Sequence, residues 1–181
     1  MLTVAPPDAI ELRCNSTFQA LMWALSRPGD ARVMPDVGLA GIAGIAETLV
    51  DLECTVFADT QELRETVSAG GALVTGEVSR ADHVFLSSLE NAADQIAQLR
   101  CGSPLYPDDG ATLIVAARHA GQRLRLSGPG IEEPTEISLD APPAFWAMRA
   151  MLCAYPEGFD CFFVDAGSVI GIPRSTKVEV L

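Results

Sequence analysis

The most basic stretch of this acidic chain is Arg174-Ser175-Thr176-Lys177, which follows Pro173. These are successive hydrogen-bond donors, two of them cationic, and they suit an anion such as a phosphate group. Residues 178–181 are rich in β-forming types and could pair within the chain or along a partner's sheet edge. We favour pairing within the chain, with partner docking and anion binding as the alternatives.

Two proline-glycine motifs are further candidates for binding an anion. Arg27 precedes Pro28-Gly29 at a predicted helix end, where its guanidinium could hold an anion or cover the last-turn carbonyls, and we favour the second role. In Gly128-Pro129-Gly130, the glycines Gly128 and Gly130 could bring backbone N–H groups close to a phosphate or another chain. Pro129 removes one donor and two glutamates follow, so we favour a rigid turn.

Charge and composition restrict the partners of the chain. Lysine and arginine total 12 and aspartate and glutamate total 24, so the formal net charge is −12. This negative charge excludes a protein that binds a nucleic-acid backbone. It also disfavours binding of free polyanions, unless a local basic patch overrides the long-range electrostatic repulsion. Because 49% of the residues are hydrophobic and only 20% are charged, we expect apolar surface to face a partner.

Most familiar catalytic motifs are missing from the sequence. The single lysine, Lys177, follows Thr176, so there is no P-loop, and its place in a polar tail disfavours a pyridoxal phosphate Schiff base. The two histidines, His83 and His119, form no metal-binding motif, and Asp108-Asp109-Gly110 resembles an acidic turn. We therefore expect no cofactor, no metal and no identifiable catalytic residue.

Length and hydropathy predict one domain over residues 1–181. The longest uncharged stretch, residues 14–26, is shorter than the roughly 20 residues that a membrane-spanning helix needs. Residues 1–11 lack the basic region of a secretory signal, so we expect a cytoplasmic protein. The five cysteines contain no C-x-x-C pair and are interpreted as reduced, mostly buried thiols.

Helices and strands alternate in the first part of the chain. Ser16-Thr17-Phe18-Gln19 has the spacing of a capping box and predicts a helix from about 16 to 27. Residues 41–52, 59–69 and 88–102 have further helical patterns, with Asp59 and Ser88 as predicted caps of the last two. Residues 31–34, 55–58 and 84–86 are predicted strands. The glycines Gly38, Gly41 and Gly44 are predicted to let a helix pack closely.

Hairpins dominate the second part. Residues 112–116 and 124–126 predict one antiparallel hairpin, and residues 161–164 and 169–172 predict another around Asp165-Ala166-Gly167-Ser168. Residues 143–155 lie between the two hairpins, and their pattern predicts a helix that begins at Pro143. The fold class is therefore α/β, with a mixed β-sheet flanked by helices on both faces.

Four segments, in this order, extend over nearly the whole chain: Phe18 with residues 21–29 (LMWALSRPG), 110–114 (GATLI), 124–131 (LRLSGPGI) and 172–180 (IPRSTKVEV). Together they closely resemble the H subunit of the bacterial carbon-phosphorus lyase system, the PhnH family. The resemblance implies a mixed α/β fold related to the large domain of pyridoxal-phosphate-dependent transferases, without that cofactor. It also implies a homodimer in isolation and a multi-subunit complex with G-, I- and J-type subunits.

In that system the partners displace adenine from ATP by an alkylphosphonate, which gives a ribose-1-phosphonate 5-triphosphate. No catalytic residue is carried over by the resemblance. We expect an accessory subunit without pyridoxal phosphate. The alternatives are a subunit that itself binds phosphonate or nucleotide triphosphate through Arg27 or Arg174, and a stand-alone pyridoxal phosphate enzyme.

Overall fold

The computed structural model describes residues 6–35 and 41–181. Within these ranges the helices are α1 (Ala9–Ser26), α2 (Ile42–Leu49), α3 (Gln61–Ser68), α4 (Ala93–Ala97) and α5 (Pro143–Leu152). The strands are β1 (Arg32–Val33), β2 (Thr55–Ala58), β3 (Leu73–Val74), β4 (His83–Leu86), β5 (Thr112–Ala116), β6 (Gln122–Ser127), β7 (Thr135–Leu139), β8 (Asp160–Asp165), β9 (Ser168–Ile172) and β10 (Lys177–Val180).

A seven-stranded mixed sheet in the order β1-β9-β8-β5-β4-β2-β3 forms the centre of the fold. Strands β8, β5, β4, β2 and β3 run parallel, whereas β9 is antiparallel to both of its neighbours. The middle strand β5 is almost continuously apolar because a parallel strand in this position is covered on both faces. The predicted mixed α/β sheet is confirmed.

Alternate side chains of the sheet enter two separate hydrophobic cores. Ile114 of β5 packs on one face with helices α1, α2 and α3, while Leu113 and Val115 point to the other. That second face is covered by α4, α5 and a smaller sheet. Helices therefore lie on both faces, as the alternating pattern of the sequence predicts.

The smaller sheet has three strands in the order β10-β6-β7 and is antiparallel throughout. Leu124 and Leu126 of β6 are buried, whereas Arg123 and Arg125 between them are exposed, which is the pattern of a sheet with one solvated face. The predicted hairpin between β5 and β6 is wrong, because β5 lies between β4 and β8 in the large sheet. The turn after β5 instead carries the chain from one sheet to the other.

The last third of the chain follows its prediction more closely. Strands β8 and β9 form the predicted antiparallel hairpin, whose turn residues Ala166 and Gly167 have φ angles of 42° and 88°. Strand β10 pairs with β6 from Lys177 opposite Ser127 to Val180 opposite Leu124. Pairing of the terminal β-forming residues within the chain is therefore confirmed.

Helix α1 begins seven residues earlier than its prediction. The capping box is formed by Asp8, whose carboxylate accepts the N–H groups of Ile10 and Glu11, while the Glu11 side chain accepts the N–H of Asp8. The predicted capping box at residues 16–19 is wrong. The Ser16 hydroxyl instead donates to the carbonyl of Leu12 inside the helix.

Other helix bounds also differ. Thr60, and not Asp59, caps α3. Helix α4 covers only Ala93–Ala97 of the predicted 88–102. Its late start follows from Asn91, whose φ of 58° interrupts the helical backbone. Helix α5 ends at Leu152, ahead of the predicted 155. Strands β3 and β7 were not predicted, and Gly38 lies outside the described residues.

Within the part of the chain that the structure describes, no helix has the length and apolar character required to cross a bilayer.

All five cysteines are free thiols, but Cys161 alone among them is fully buried and the other four are half-buried. The expectation of mostly buried thiols is therefore wrong.

Helix α1 touches strand β9 through the backbone. A Cβ built on Gly171 would lie 2.6 Å from the carbonyl carbon of Ala24 and 2.7 Å from its oxygen. These atoms belong to the helix backbone and cannot rotate away. Gly171 therefore permits this close contact between α1 and the large sheet.

We expect Gly171→Ala to lower the free energy of unfolding by about 1–3 kcal/mol, because the added methyl forces α1 away from β9. Gly76→Ala is the matched control, since a Cβ there meets no atom within 4 Å. Urea denaturation of both variants measures the effect. Equal stability of the two variants would show that α1 shifts without cost.

Candidate functional site

The three predicted anion-binding segments meet at one junction of the fold. A Cβ on Gly130 would overlap the carbonyl oxygen of Ser26 at the end of α1, and a Cβ on Gly128 would lie 3.0 Å from the carbonyl oxygen of Ser175. Gly29 packs on the side chains of Leu126 and Thr135 in the small sheet. The end of α1, the turn after β6 and the turn before β10 are thus in direct contact.

Gly128 and Gly130 both have positive φ angles, 135° and 80°. Glycine adopts this backbone without the steric cost that a Cβ brings, and it also permits the two close approaches just described. The N–H of Ile131 donates to the carbonyl of Gly128 across this turn at 3.2 Å. The geometry is that of a tight turn packed between two other segments.

Arg27 is the C-cap of α1, and its N–H donates to the carbonyl of Trp23 at 3.0 Å. Its exposed guanidinium lies 5.5 Å from the centroid of the Trp23 ring, and that of Arg32 lies 5.9 Å from the same ring. Both cations therefore stack on one indole. Trp23, Arg27 and Arg32 therefore form a positively charged, partly aromatic patch at this end of α1.

Arg174 is held by Asp160 at the start of β8. Its Nε and Nη2 donate to the two carboxylate oxygens at 3.2 and 2.8 Å, and its backbone N–H donates to Oδ1 at 2.8 Å. Nη1 donates to the carbonyl of Pro107. These bonds to Asp160 raise the pKa of Arg174 above its ordinary value. A free anion would have to displace Asp160 to use this guanidinium.

The rest of the basic stretch forms a turn and the start of β10. Ser175 is half-buried, Lys177 is exposed, and Thr176 is only 3% exposed. The N–H of Thr176 donates to the carbonyl of Pro173 at 2.9 Å. The four residues therefore differ in environment, and Lys177 carries the accessible charge.

Arg149 was missed by the sequence analysis and organises this turn. The side chain is 3% exposed, and it donates from Nη1 to the carbonyl of Thr176 at 3.1 Å and from Nη2 to that of Pro173 at 2.7 Å. A signal was present, because Arg149 follows the buried Phe145 and Trp146 at helical spacing and so lies on the inner face of α5.

A second candidate region lies at the carboxyl ends of β4, β5 and β8, where open parallel sheets commonly bind ligands. A cleft of about 710 Å³ is lined there by Ser87, Arg118, Asp140 and Asp165, among others. Two of its three carboxylates, those of Asp140 and Asp165, have partners among the described residues. Asp140 pairs with Arg118 at 2.8 Å, and Asp165 accepts the N–H of His119 at 2.9 Å.

Burial sets the protonation of the other reactive groups. It raises the pKa of the Cys161 thiol to about 12 and lowers that of His83 at the start of β4. Cys161 is therefore an inert thiol, and His83 is a neutral strand-end residue at physiological pH. Over residues 6–35 and 41–181, no group of three His, Cys, Asp or Glu side chains is arranged to hold a metal ion.

Comparison with known proteins places these features in a family. Residues 10–179 match the family model described as PhnH, bacterial phosphonate metabolism protein. The chain belongs to the PhnH family. The match runs from the first turns of α1 to β10 and so includes every element of the junction described above.

Two curated relatives align with this PhnH-family chain over most of their length. One is a putative C-P lyase subunit protein, HtxG, of Stutzerimonas stutzeri, which is 27% identical over 93% of this chain and 87% of the relative. The other is alpha-D-ribose 1-methylphosphonate 5-triphosphate synthase subunit PhnH of Rhizobium meliloti strain 1021. It is 28% identical over 91% of this chain and 90% of the relative.

The Arg174–Asp160 pair should be a structural determinant of this PhnH-family chain. We expect Arg174→Ala to lower the free energy of unfolding by about 3 kcal/mol, because a largely buried Asp160 loses its counter-charge. Arg118→Ala is the control, since it removes an exposed pair with Asp140 and should cost less than about 1 kcal/mol. If guanidinium denaturation gives both variants the same loss, Arg174 has no special structural role.

Proposed function

We propose that this chain is an accessory subunit, without pyridoxal phosphate, of the bacterial carbon-phosphorus lyase core complex, needed for alkylphosphonate utilisation. In this proposal it acts with G-, I- and J-type subunits that form ribose-1-phosphonate 5-triphosphate from ATP and an alkylphosphonate. The observation that carries the proposal is the family match over residues 10–179. Both relatives are named as subunits, which supports a role within an assembly.

The geometry of the described residues supports an accessory role over an independent catalyst. The guanidinium of Arg174 is committed to Asp160, and two of the three carboxylates of the cleft, Asp140 and Asp165, are bonded to Arg118 and to a backbone N–H. The single lysine lies on β10 in the small sheet, away from the carboxyl ends of the parallel strands. These groups hold the fold together and offer no nucleophile or general base that is ready to act.

A relation to the large domain of pyridoxal-phosphate-dependent transferases is part of the same proposal. Five adjacent parallel strands with a cleft at their carboxyl ends support it. We also propose a cytoplasmic location, and a homodimer in isolation as the family resemblance implies.

We further propose that the outer face of α1 contacts a partner subunit of the complex. Phe18, Met22 and Trp23 are 53%, 48% and 45% exposed and lie close together on this helix, at i, i+4 and i+5. Exposed apolar groups in one patch are typical of interaction sites. Arg27 and Arg32 both stack on Trp23 and Asp30 pairs with Arg32, so this end of the patch keeps a net positive charge and we expect acidic groups on the partner there.

Deletion of the gene tests the proposed function directly. We expect the deletion strain to lose growth on methylphosphonate as sole phosphorus source and to keep growth on inorganic phosphate. A tagged copy should restore growth and recover the other subunits in a pull-down. Retained growth on methylphosphonate, or a tagged protein that recovers no subunit, would contradict the proposal.

Phe18→Asp tests the face of α1. We expect recovery of the partner subunits to fall at least about tenfold, because a carboxylate would be buried in an apolar contact. The melting temperature should change little, since Phe18 is exposed. Leu105→Asp is the control, because Leu105 is 84% exposed and lies on a different segment. If only the oligomeric state of the isolated chain changes, the face joins two copies and the partner assignment is wrong.

A further inference from the structure

An apolar cavity of about 250 Å³ lies between α4 and α5. At its base are the buried side chains of Leu89, Ile96 and Phe145, which belong to the hydrophobic core on this face of the large sheet. The accessible walls include the exposed Ala93 of α4 and Ala144 of α5. The cavity is therefore a place where a ligand meets apolar side chains directly at the surface.

Small side chains on the two helices leave this space open. A side chain larger than a methyl group at position 93 or 144 would occupy part of the cavity, and both positions are alanine. Met148, one turn after Ala144, is partly buried, and its flexible thioether can adapt to the shape of an occupant. An exposed apolar concavity of this kind is typical of an interaction site.

The one ionisable side chain that lines the cavity is acidic. Glu90 is exposed, and within residues 6–35 and 41–181 no cation lies within 4.0 Å of its carboxylate. Glu90 also lines the cleft at the carboxyl ends of the parallel strands, so the two spaces are neighbours. The cleft adds the carboxylates of Asp140 and Asp165 and one cation, Arg118. An occupant of the cavity therefore meets a negative field, which favours a basic group next to its apolar part.

The size of the cavity restricts the occupant further. Pockets for whole small molecules usually measure roughly 300–1,000 Å³, and this cavity is below that range. One large apolar side chain suits it better. Protein interfaces obtain much of their affinity from a few such side chains, which enter apolar pockets near the centre of the contact.

We propose that the cavity between α4 and α5 receives one large apolar side chain of a partner protein, and that a lysine or arginine next to that side chain pairs with Glu90. That the partner is another subunit of the complex rests on the proposed function, whereas the cavity and its charge do not. The contact is separate from the outer face of α1, because α1 and the α4–α5 pair cover opposite faces of the large sheet. One copy of the chain can therefore hold two partners at once.

Recovery of co-expressed G-, I- and J-type subunits by the tagged full chain tests the contact. We expect Ala144→Phe to lower the recovery of at least one subunit about tenfold or more, because the added ring fills the space that the partner needs. Ala147→Phe is the matched control, since Ala147 is exposed on the same helix and does not line the cavity. The melting temperatures of both variants should stay close to that of the wild type, because both positions are exposed. Equal recovery by the two variants would overturn the proposal.

Two further variants cover the case in which Ala144→Phe lowers the melting temperature. Ala93→Phe fills the cavity from α4, and Glu90→Lys reverses the charge beside it. Both should lower the same recovery. Glu132→Lys is the control for the charge reversal, because Glu132 is exposed and lines neither the cavity nor the cleft. Full recovery by both Ala93→Phe and Glu90→Lys would contradict the proposal.

A peptide probe tests the site without any partner subunit. The probe is N-acetyl-lysyl-tryptophan amide, and the readout is the methyl resonance of Met148 in the isotope-labelled full chain. We expect the resonance to shift at millimolar peptide and the shift to be lost in Ala144→Phe. N-acetyl-glutamyl-tryptophan amide should bind about two- to fivefold more weakly, because Glu90 repels its carboxylate. Glu90→Lys should remove this preference.

The peptide experiment can refute the site in two ways. An unshifted Met148 resonance with the lysyl peptide, or equal binding of the two peptides, would show that the cavity does not receive a basic segment. Binding of indole as strong as that of the lysyl peptide would refute it as well, because the cavity would then accept small apolar molecules without a basic group.

The two proposals fail separately. Recovery of all subunits by the cavity-filling variants refutes the cavity contact and keeps the accessory role. Peptide binding that is lost in Ala144→Phe and Glu90→Lys, in a chain that recovers no subunit and is dispensable for growth on methylphosphonate, keeps the cavity site and refutes the proposed function.

Discussion

The second half of the structure depends on the hydrogen bonds that the buried guanidinium of Arg149 donates. It holds the carbonyls of Pro173 and Thr176, between the last strand of the large sheet and the edge strand of the small one. These bonds join α5 to the turn that carries the chain from β9 into β10, where it pairs with β6. One side chain of α5 thus couples a helix and both sheets.

This coupling explains why residues that are far apart in the sequence meet at one junction. The turn from β9 to β10 touches Gly128, and the turn that contains Gly130 touches the end of α1. Each contact needs a backbone without a Cβ, so the glycines are determined by packing. The motifs that carry the family resemblance are therefore largely the parts of the chain that hold the two sheets together.

Sequence patterns predicted the buried strands well and the partners of those strands less well. The apolar runs of β2, β5 and β8 are short and rich in β-branched and aromatic residues, which is typical of strands covered on both faces. The pairing of β5 with β4 and β8, and not with β6, depends on contacts between distant residues. Strand β7 was missed because its sequence, TEISL, is largely polar and forms an edge of the small sheet.

The helix ends and the candidate site were also harder to predict from the sequence, because they too depend on contacts between distant residues. Asp8 and Ser16 both fit a capping box, and only the complete helix shows that the earlier one is used, since each added turn gains backbone bonds. Arg174 attracted attention because it lies in a dense basic stretch, yet Asp160, 14 residues away, neutralises it. Arg149 escaped attention because its neighbours on α5 are apolar, although that setting is what makes its charge important.

The backbone contact between Gly171 and Ala24 has an evolutionary consequence. Because α1 is positioned by its backbone at Ala24 and by buried side chains such as Leu21, its outward residues can be exchanged without repacking the interior. In the proposed function, selection for partner binding and selection for folding therefore act on different residues of the same helix. Diverging lineages could acquire new assembly preferences on this face while the scaffold beneath it stays the same.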